Sequence, residues 1–150
     1  MSKDFELAKH LLMFEEGWRD KAYYCTEGYP TIGWGFKVGE KGDPLPKEAM
    51  SHTEGNDRLT KIIKQIDADL QQNATTKESY AACDEARQAV LISMCYQLGM
   101  ARLCGFKNAL AAIAHKDWIK ASKEMLDSLA ARQTPARWNR AAAIMRTGVI

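Results

Sequence analysis

The sequence predicts an α+β fold that is mainly helical: a small hairpin-bearing N-terminal part and a larger helical C-terminal part, joined by a long helix. Three observations predict it. Apolar residues recur at three- and four-residue steps over most of the chain. Lys21 to Phe36 breaks that rhythm, with Tyr23, Tyr24, Tyr29, Ile32 and Trp34 interleaved with Gly28, Pro30, Gly33 and Gly35. Between the two regions Ala49, Met50, Leu59, Ile62, Ile63, Ile66 and Leu70 form one stripe, opposite Lys61, Lys64, Asp67 and Asp69, as a bridging helix requires.

The elements follow in order. Asp4 to Glu16 reads as a helix through Phe5, Ala8, Leu11 and Leu12, ended by Gly17 as a left-handed cap. A twisted hairpin occupies Lys21 to Phe36, and Lys37 to Leu45 is loop or a third short strand. Pro46 suits the first turn of the connecting helix, which runs to about Gln72 with an interruption expected near Gly55. Asp84 caps a helix that is apolar nearly all round (Val90, Leu91, Ile92, Met94, Cys95, Leu98), which marks the buried centre of the larger part, and Gly99 stops it. Helices follow at about Gly105–Ala114 and Asp117–Ala131, the second capped by Asp117. Thr134-Pro135 opens the last helix and Gly148 closes it.

The chain has 150 residues, 46% of them hydrophobic and 27% charged, the proportions of a globular domain. At that size about 68–70% of the unfolded surface is buried, so no staples are needed. No run approaches the roughly 18 apolar residues of a membrane span. The net charge of +2 argues against a dedicated nucleic-acid binder, but it hides an asymmetry. Residues 1–57 carry 7 basic and 11 acidic side chains, net −4; residues 58–150 carry 14 and 8, net +6. From Ser128 onward there are Arg132, Arg137, Arg140 and Arg146 and no acid, a sign of surface that attracts anionic polymers.

Met-Ser-Lys-Asp-Phe-Glu-Leu lacks an apolar signal core, so a cytoplasmic protein without a signal peptide is expected. Cys25, Cys83, Cys95 and Cys104 lack paired metal-ligand spacing, so reduced thiols are expected, with no metal and no cofactor. Cys25 differs from the others in lying among polar and aromatic residues in a turn-rich segment.

Chemistry gathers where Glu16-Gly17 is followed by Cys25-Thr26-Glu27-Gly28 and Thr31-Ile32-Gly33-x-Gly35. A carboxyl at a helix C-terminus stands beside a hairpin that starts with a thiol. The partial negative charge of a helix end favours the protonated form of a neighbouring carboxyl, which suits a proton donor. An ordinary exposed Glu before a terminal Gly is the bland alternative.

Glu16-Gly17, Tyr23 and Thr26-Glu27-Gly28-Tyr29-x-Thr31-Ile32-Gly33-x-Gly35 closely resemble the small-lobe signature of T-even phage lysozymes, the phage-type endolysins of glycoside hydrolase family 24. The resemblance resumes at Asp84-x-x-Arg87-x-Ala89-x-Leu91-Ile92-x-Met94, Gln97-x-Gly99, Gly105-Phe106-x-Asn108-x-Leu110 and Trp118. It finishes with Gln133-Thr134-Pro135-x-Arg137 and Arg146-Thr147-Gly148. Val38 to Thr76 match only loosely. The resemblance implies a lysozyme-like domain over 1–150: a first helix (4–16) packing with the large lobe, a small lobe at about 17–50, a connecting helix to about 72 and a helical lobe at about 73–150.

It further implies a muramidase cleaving the β-1,4 bond between N-acetylmuramic acid and N-acetylglucosamine of peptidoglycan in a cleft between the lobes. Glu16 would be the general acid, and Thr31 would help hold the attacking water. Arg137 would stand as a supporting cation near the catalytic Glu. Tyr96 and Gln97 would contact glycan, as would Lys37 and Ala109, whose side-chain types differ from the family's. Glu27 is close enough in sequence to touch substrate. A monomer is expected, acting on glycan strands after release from the host cytoplasm by a separate holin.

Cys25 is the main departure, because the family often has Asp there. Three readings stay open: a thiolate that positions or deprotonates water, a thiolate that attacks the sugar with retention, or a site that has lost hydrolysis. The retained Thr31 favours the first; the third would make the chain a peptidoglycan-binding module. A thiol protease pairing Cys25 with His10, His52 or His115 is the remaining alternative, and no histidine has a context that places it within reach. Phe36, where the family carries His, removes a titratable group.

Overall fold

The computed structural model describes residues 5–150 and is mainly helical, with one small sheet. In order it runs α1 (Glu6–Glu16), β1 (Arg19–Tyr24), β2 (Pro30–Gly33), β3 (Phe36–Lys37), α2 (His52–Gln72) and α3 (Lys77–Ala82). There follow α4 (Glu85–Leu98), α5 (Met100–Cys104), α6 (Lys107–Ala114), α7 (Trp118–Leu126), α8 (Leu129–Gln133) and α9 (Pro135–Thr147). Asp4, the expected start of the first helix, lies outside the described residues.

Two compact units divide the chain: Leu12–Ile62 is one, and the described residues up to Leu11 with Ile63–Ile150 are the other. The boundaries fall inside α1 and α2, and α2 is 21 residues long.

In the first unit, Gly17 ends α1 as expected: its φ is +69° and its N–H donates to the Met13 carbonyl at 3.0 Å. The sheet is antiparallel in the order β1-β2-β3. Tyr23 pairs with Thr31 and Arg19 with Gly33, so β1 carries a bulge between Arg19 and Tyr23. Thr31 pairs with Lys37 and Ile32 with Phe36 across a turn at Trp34-Gly35, so the third strand is Phe36–Lys37, taking Phe36 from the expected hairpin, and residues 38–45 are loop. Phe36 fills the unit's core and carries the Arg58 guanidinium 4.8 Å from its ring centroid.

Two expectations about α2 are corrected. Pro46 opens no helix; residues 43–50 are irregular, and Met50 commits its N–H to the Asp20 carbonyl at 2.8 Å. The helix starts at His52, capped by Ser51, whose Oγ accepts from the Glu54 N–H at 3.1 Å. Nor is the helix interrupted at Gly55. That residue is needed for space: a Cβ there would stand 2.4 Å from a ring carbon of Trp18. Gly55→Ala is therefore expected to destabilise the protein by about 1–3 kcal/mol despite its better helix propensity, measured by urea unfolding. Unchanged or raised stability would mean that Trp18 repacks freely.

In the helical unit α4 is the buried centre, with Ala86, Ala89, Val90, Leu91, Ile92, Met94 and Cys95 all inaccessible. Asp84 caps it as expected, accepting from the Arg87 N–H. Arg87 then reaches the C-terminus of α9: Nε donates to the Met145 carbonyl at 2.6 Å and Nη2 to that of Arg146 at 3.1 Å. Its guanidinium lies 3.9 Å over Trp118. Gly148, left-handed at φ +73°, has no room for a Cβ beside Arg87 and Asp84. The Asp84-x-x-Arg87, Trp118 and Arg146-Thr147-Gly148 motifs are thus one structural clasp. The helix expected over Asp117–Ala131 is two, because Ser128 starts α8 by accepting from the Ala131 N–H. Cys83 and Cys95 are buried, and desolvation pushes their thiols up to about 12 and about 11. Among the described residues no helix is long and apolar enough to cross a membrane.

Candidate active site

Glu16, Cys25, Glu27, Thr31 and Lys37 all fall in the Leu12–Ile62 unit. Glu16 is the last residue of α1 and half-buried. Its carboxyl lies on the bare Cα of Gly35: a Cβ there would stand 3.1 Å from Oε2 and 3.4 Å from Cδ. Gly35 also has φ +79°. The left-handed turn conformation and the close approach therefore both demand glycine where the hairpin meets the carboxyl.

Cys25 opens the β1–β2 turn. The Gly28 N–H donates to the Cys25 carbonyl at 2.9 Å and the Cys25 N–H to the Tyr29 carbonyl at 3.0 Å, with Gly28 at φ +89°. This is a three-residue hairpin loop with a glycine bulge. Its consequence is chemical, because the turn gathers donors around the sulfur. The backbone N–H of Tyr29 acts most strongly, and those of Glu27 and Gly28 and the Thr31 hydroxyl add to it. Together they outweigh partial desolvation and hold the Cys25 thiol below its usual range. The loop is a cradle for an anion at residue 25, whether carboxylate or thiolate. No histidine stands among the groups acting on the sulfur; His52 is instead stacked on Trp18 at 4.2 Å.

Thr31 pairs with Tyr23 and Lys37 at the centre of the sheet and is only 4% exposed. Its hydroxyl donates to the Tyr29 carbonyl at 2.8 Å, which leaves the oxygen free to accept. Donation to a Cys25 thiolate requires the same proton, so the hydroxyl has two alternative acceptors on the two sides of the turn. Glu27 is exposed at the turn. Lys37 is exposed with its Nζ 4.2 Å over the Tyr29 ring.

The other expected residues belong to the helical unit. Tyr96 and Gln97 are half-exposed at the end of α4, and the Gln97 amide donates to the Thr134 hydroxyl at 3.2 Å. Arg137, on α9, donates to Ser93 Oγ at 3.2 Å. Ala109 is 2% exposed on α6, so its methyl faces the core of its unit and offers almost no surface to a sugar. Sequence reasoning missed the aromatic stack of Trp18, Trp34 and His52 beside the Gly33–Gly35 loop, since its members share no local motif.

The sequence profile of the phage lysozyme family matches residues 14–143. Probable T4-type lysozymes 1 and 2 of Dictyostelium discoideum are 29% and 28% identical to the chain, over 95% of it and 95% of their own lengths. The pre-baseplate central spike protein Gp5 of Enterobacteria phage T4 is 31% identical over 92% of this chain and 27% of that protein. The matched segment takes in the sheet, the turn and the greater part of the helical unit, and the chain belongs to the phage lysozyme family, as an enzyme of the T4 lysozyme type.

Proposed function

We propose that this enzyme hydrolyses the β-1,4 bond between N-acetylmuramic acid and N-acetylglucosamine in peptidoglycan by an acid–base pair in which the usual second carboxylate is a thiolate. Glu16 gives its proton to the glycosidic oxygen as the C1–O bond breaks, and the leaving sugar departs as an alcohol. Water attacks C1 from the opposite face and loses a proton to the Cys25 thiolate; exchange with solvent then restores the acid and the thiolate. The Thr31 oxygen accepts one hydrogen of that water. The single observation that carries the reading is the ring of donors around Cys25, which stabilises a negative sulfur where the family often has Asp.

Glu27 and Lys37, both exposed on the same small unit, are proposed to touch glycan. Tyr96 and Gln97 as glycan contacts, and Arg137 as a supporting cation, enter on the resemblance alone; Ala109 is left out because it is buried. The rival reading, a module that binds peptidoglycan without cutting it, draws on the missing carboxylate at residue 25. Incubation with purified peptidoglycan separates the two. Hydrolysis releases new reducing ends that grow with time, whereas sedimentation with the glycan and no reducing ends would establish binding alone.

A further inference from the structure

We infer that Trp18, Trp34, His52 and Asn56 form a brace that sets the position of the Glu16 carboxyl, and that Trp34 and Asn56 are positioning residues of the reaction. The inference rests on Glu16 being the acid. The aromatic stack is joined to that residue in two ways. Trp18 follows Glu16 by two positions, through Gly17. Trp34 precedes Gly35, the residue on whose Cα the carboxyl rests. Movement of either indole therefore moves the carboxyl or the surface beneath it.

Both indoles are tied to the start of α2. Trp34 Nε1 donates to Asn56 Oδ1 at 3.1 Å. Trp18 stacks on His52 at 4.2 Å and 22°, and meets Trp34 at 4.9 Å and 57°; Trp34 meets His52 edge-on at 6.2 Å. Gly55 leaves room for the edge of the Trp18 six-membered ring, and Met50 Sδ lies beside both Gly55 and Gly33. A long flexible side chain at either Trp position would leave the Gly33–Gly35 loop free to shift. The loop carries two residues at positive φ, Gly33 and Gly35. Since a displacement of about 1 Å at a reacting group costs on the order of a hundredfold in rate, even a partial loosening should be visible.

Asn56 is the cleanest probe, being exposed and contacting the indole through one hydrogen bond. Asn56→Ala removes the acceptor; Asn56→Asp keeps an isosteric oxygen for the same N–H. With soluble uncross-linked glycan strands, Asn56→Ala is expected to lower kcat about tenfold with KM within about twofold, and Asn56→Asp to restore kcat. Trp34→Phe, which keeps a ring but loses the N–H, should behave like Asn56→Ala. Melting temperatures are read alongside. A lower melting temperature with unchanged kcat, or equal kcat in the Ala and Asp variants, would overturn the brace and leave the stack a packing feature only. Glu16→Gln in the same assay keeps the two claims apart: an active Gln variant defeats the acid assignment whatever Asn56 does, and an inactive one leaves the brace to stand or fall on the Asn56 pair.

Discussion

Glu16→Gln is expected to remain folded while its release of reducing ends from peptidoglycan falls by about a thousandfold, within the roughly 10²–10⁴-fold that general acid–base catalysis supplies. The amide has nearly the shape of the carboxyl, so it can occupy the same place against Gly35. It has no acidic proton, and the leaving oxygen would depart as an alkoxide. Because the structural change is so small, a folded but inactive variant isolates the proton. Retained turnover would move the acid elsewhere, first to the adjacent Glu15.

The second large effect concerns residue 25. Cys25→Asp is expected to preserve or raise turnover, because the backbone N–H groups that favour the thiolate favour a carboxylate equally. Cys25→Ala should lose about a hundredfold, since Thr31 would still hold the water but no base would take its proton. Cys25→Ser should resemble Ala, its hydroxyl staying neutral. The pH dependence has a definite sign. In the proposed mechanism activity requires the thiolate, so it should decline as pH falls through the lowered pKa of the folded thiol. A carboxylate, at about 3.9 against about 8.5 for a free thiol, stays charged much further down, so Cys25→Asp should shift the acid limb to lower pH. The thiolate's contribution to stability follows the same course: complete above the unfolded pKa and lost as pH falls through the folded one. Equal activity in all three variants would make Cys25 a bystander, and an unshifted limb would remove it from the proton inventory.

Legibility followed the range of the interactions involved. Local signals could be read directly: Gly17, Gly99 and Gly148 as helix ends, Asp84 and Asp117 as caps, and the all-round apolar pattern of α4. Pro46 misled because its preference for a first helical turn is local, while Met50 is held outside the helix by a bond to Asp20 and packing under Gly33. Ser51-x-x-Glu54 was the better signal for the start of α2, and its capping bond is present. Gly55 resembles a break in sequence, but its missing side chain serves Trp18, a residue 37 positions earlier. The six- and five-residue helices α3 and α5 are too short to show a period.

The site divides in the same way. Glu16 at a helix end and Cys25 at a turn were readable from neighbouring glycines. The donors around the sulfur were not, because they arise from the directions of backbone N–H groups that the turn type alone determines. The resemblance supplied the roles of Glu16 and Thr31; the cradle explains physically how a thiol can stand where an acid is usual.

The most direct test of the acid–thiolate pair is the configuration of the first product, read by proton NMR of freshly cut glycan before the anomers equilibrate. Water held by Cys25 and Thr31 attacks once, from the face opposite the leaving group, so the α-anomer should appear first and the β-anomer only by later mutarotation. Initial formation of the β-anomer would mean that sulfur, or another group, had bonded to the sugar, and it would contradict the account.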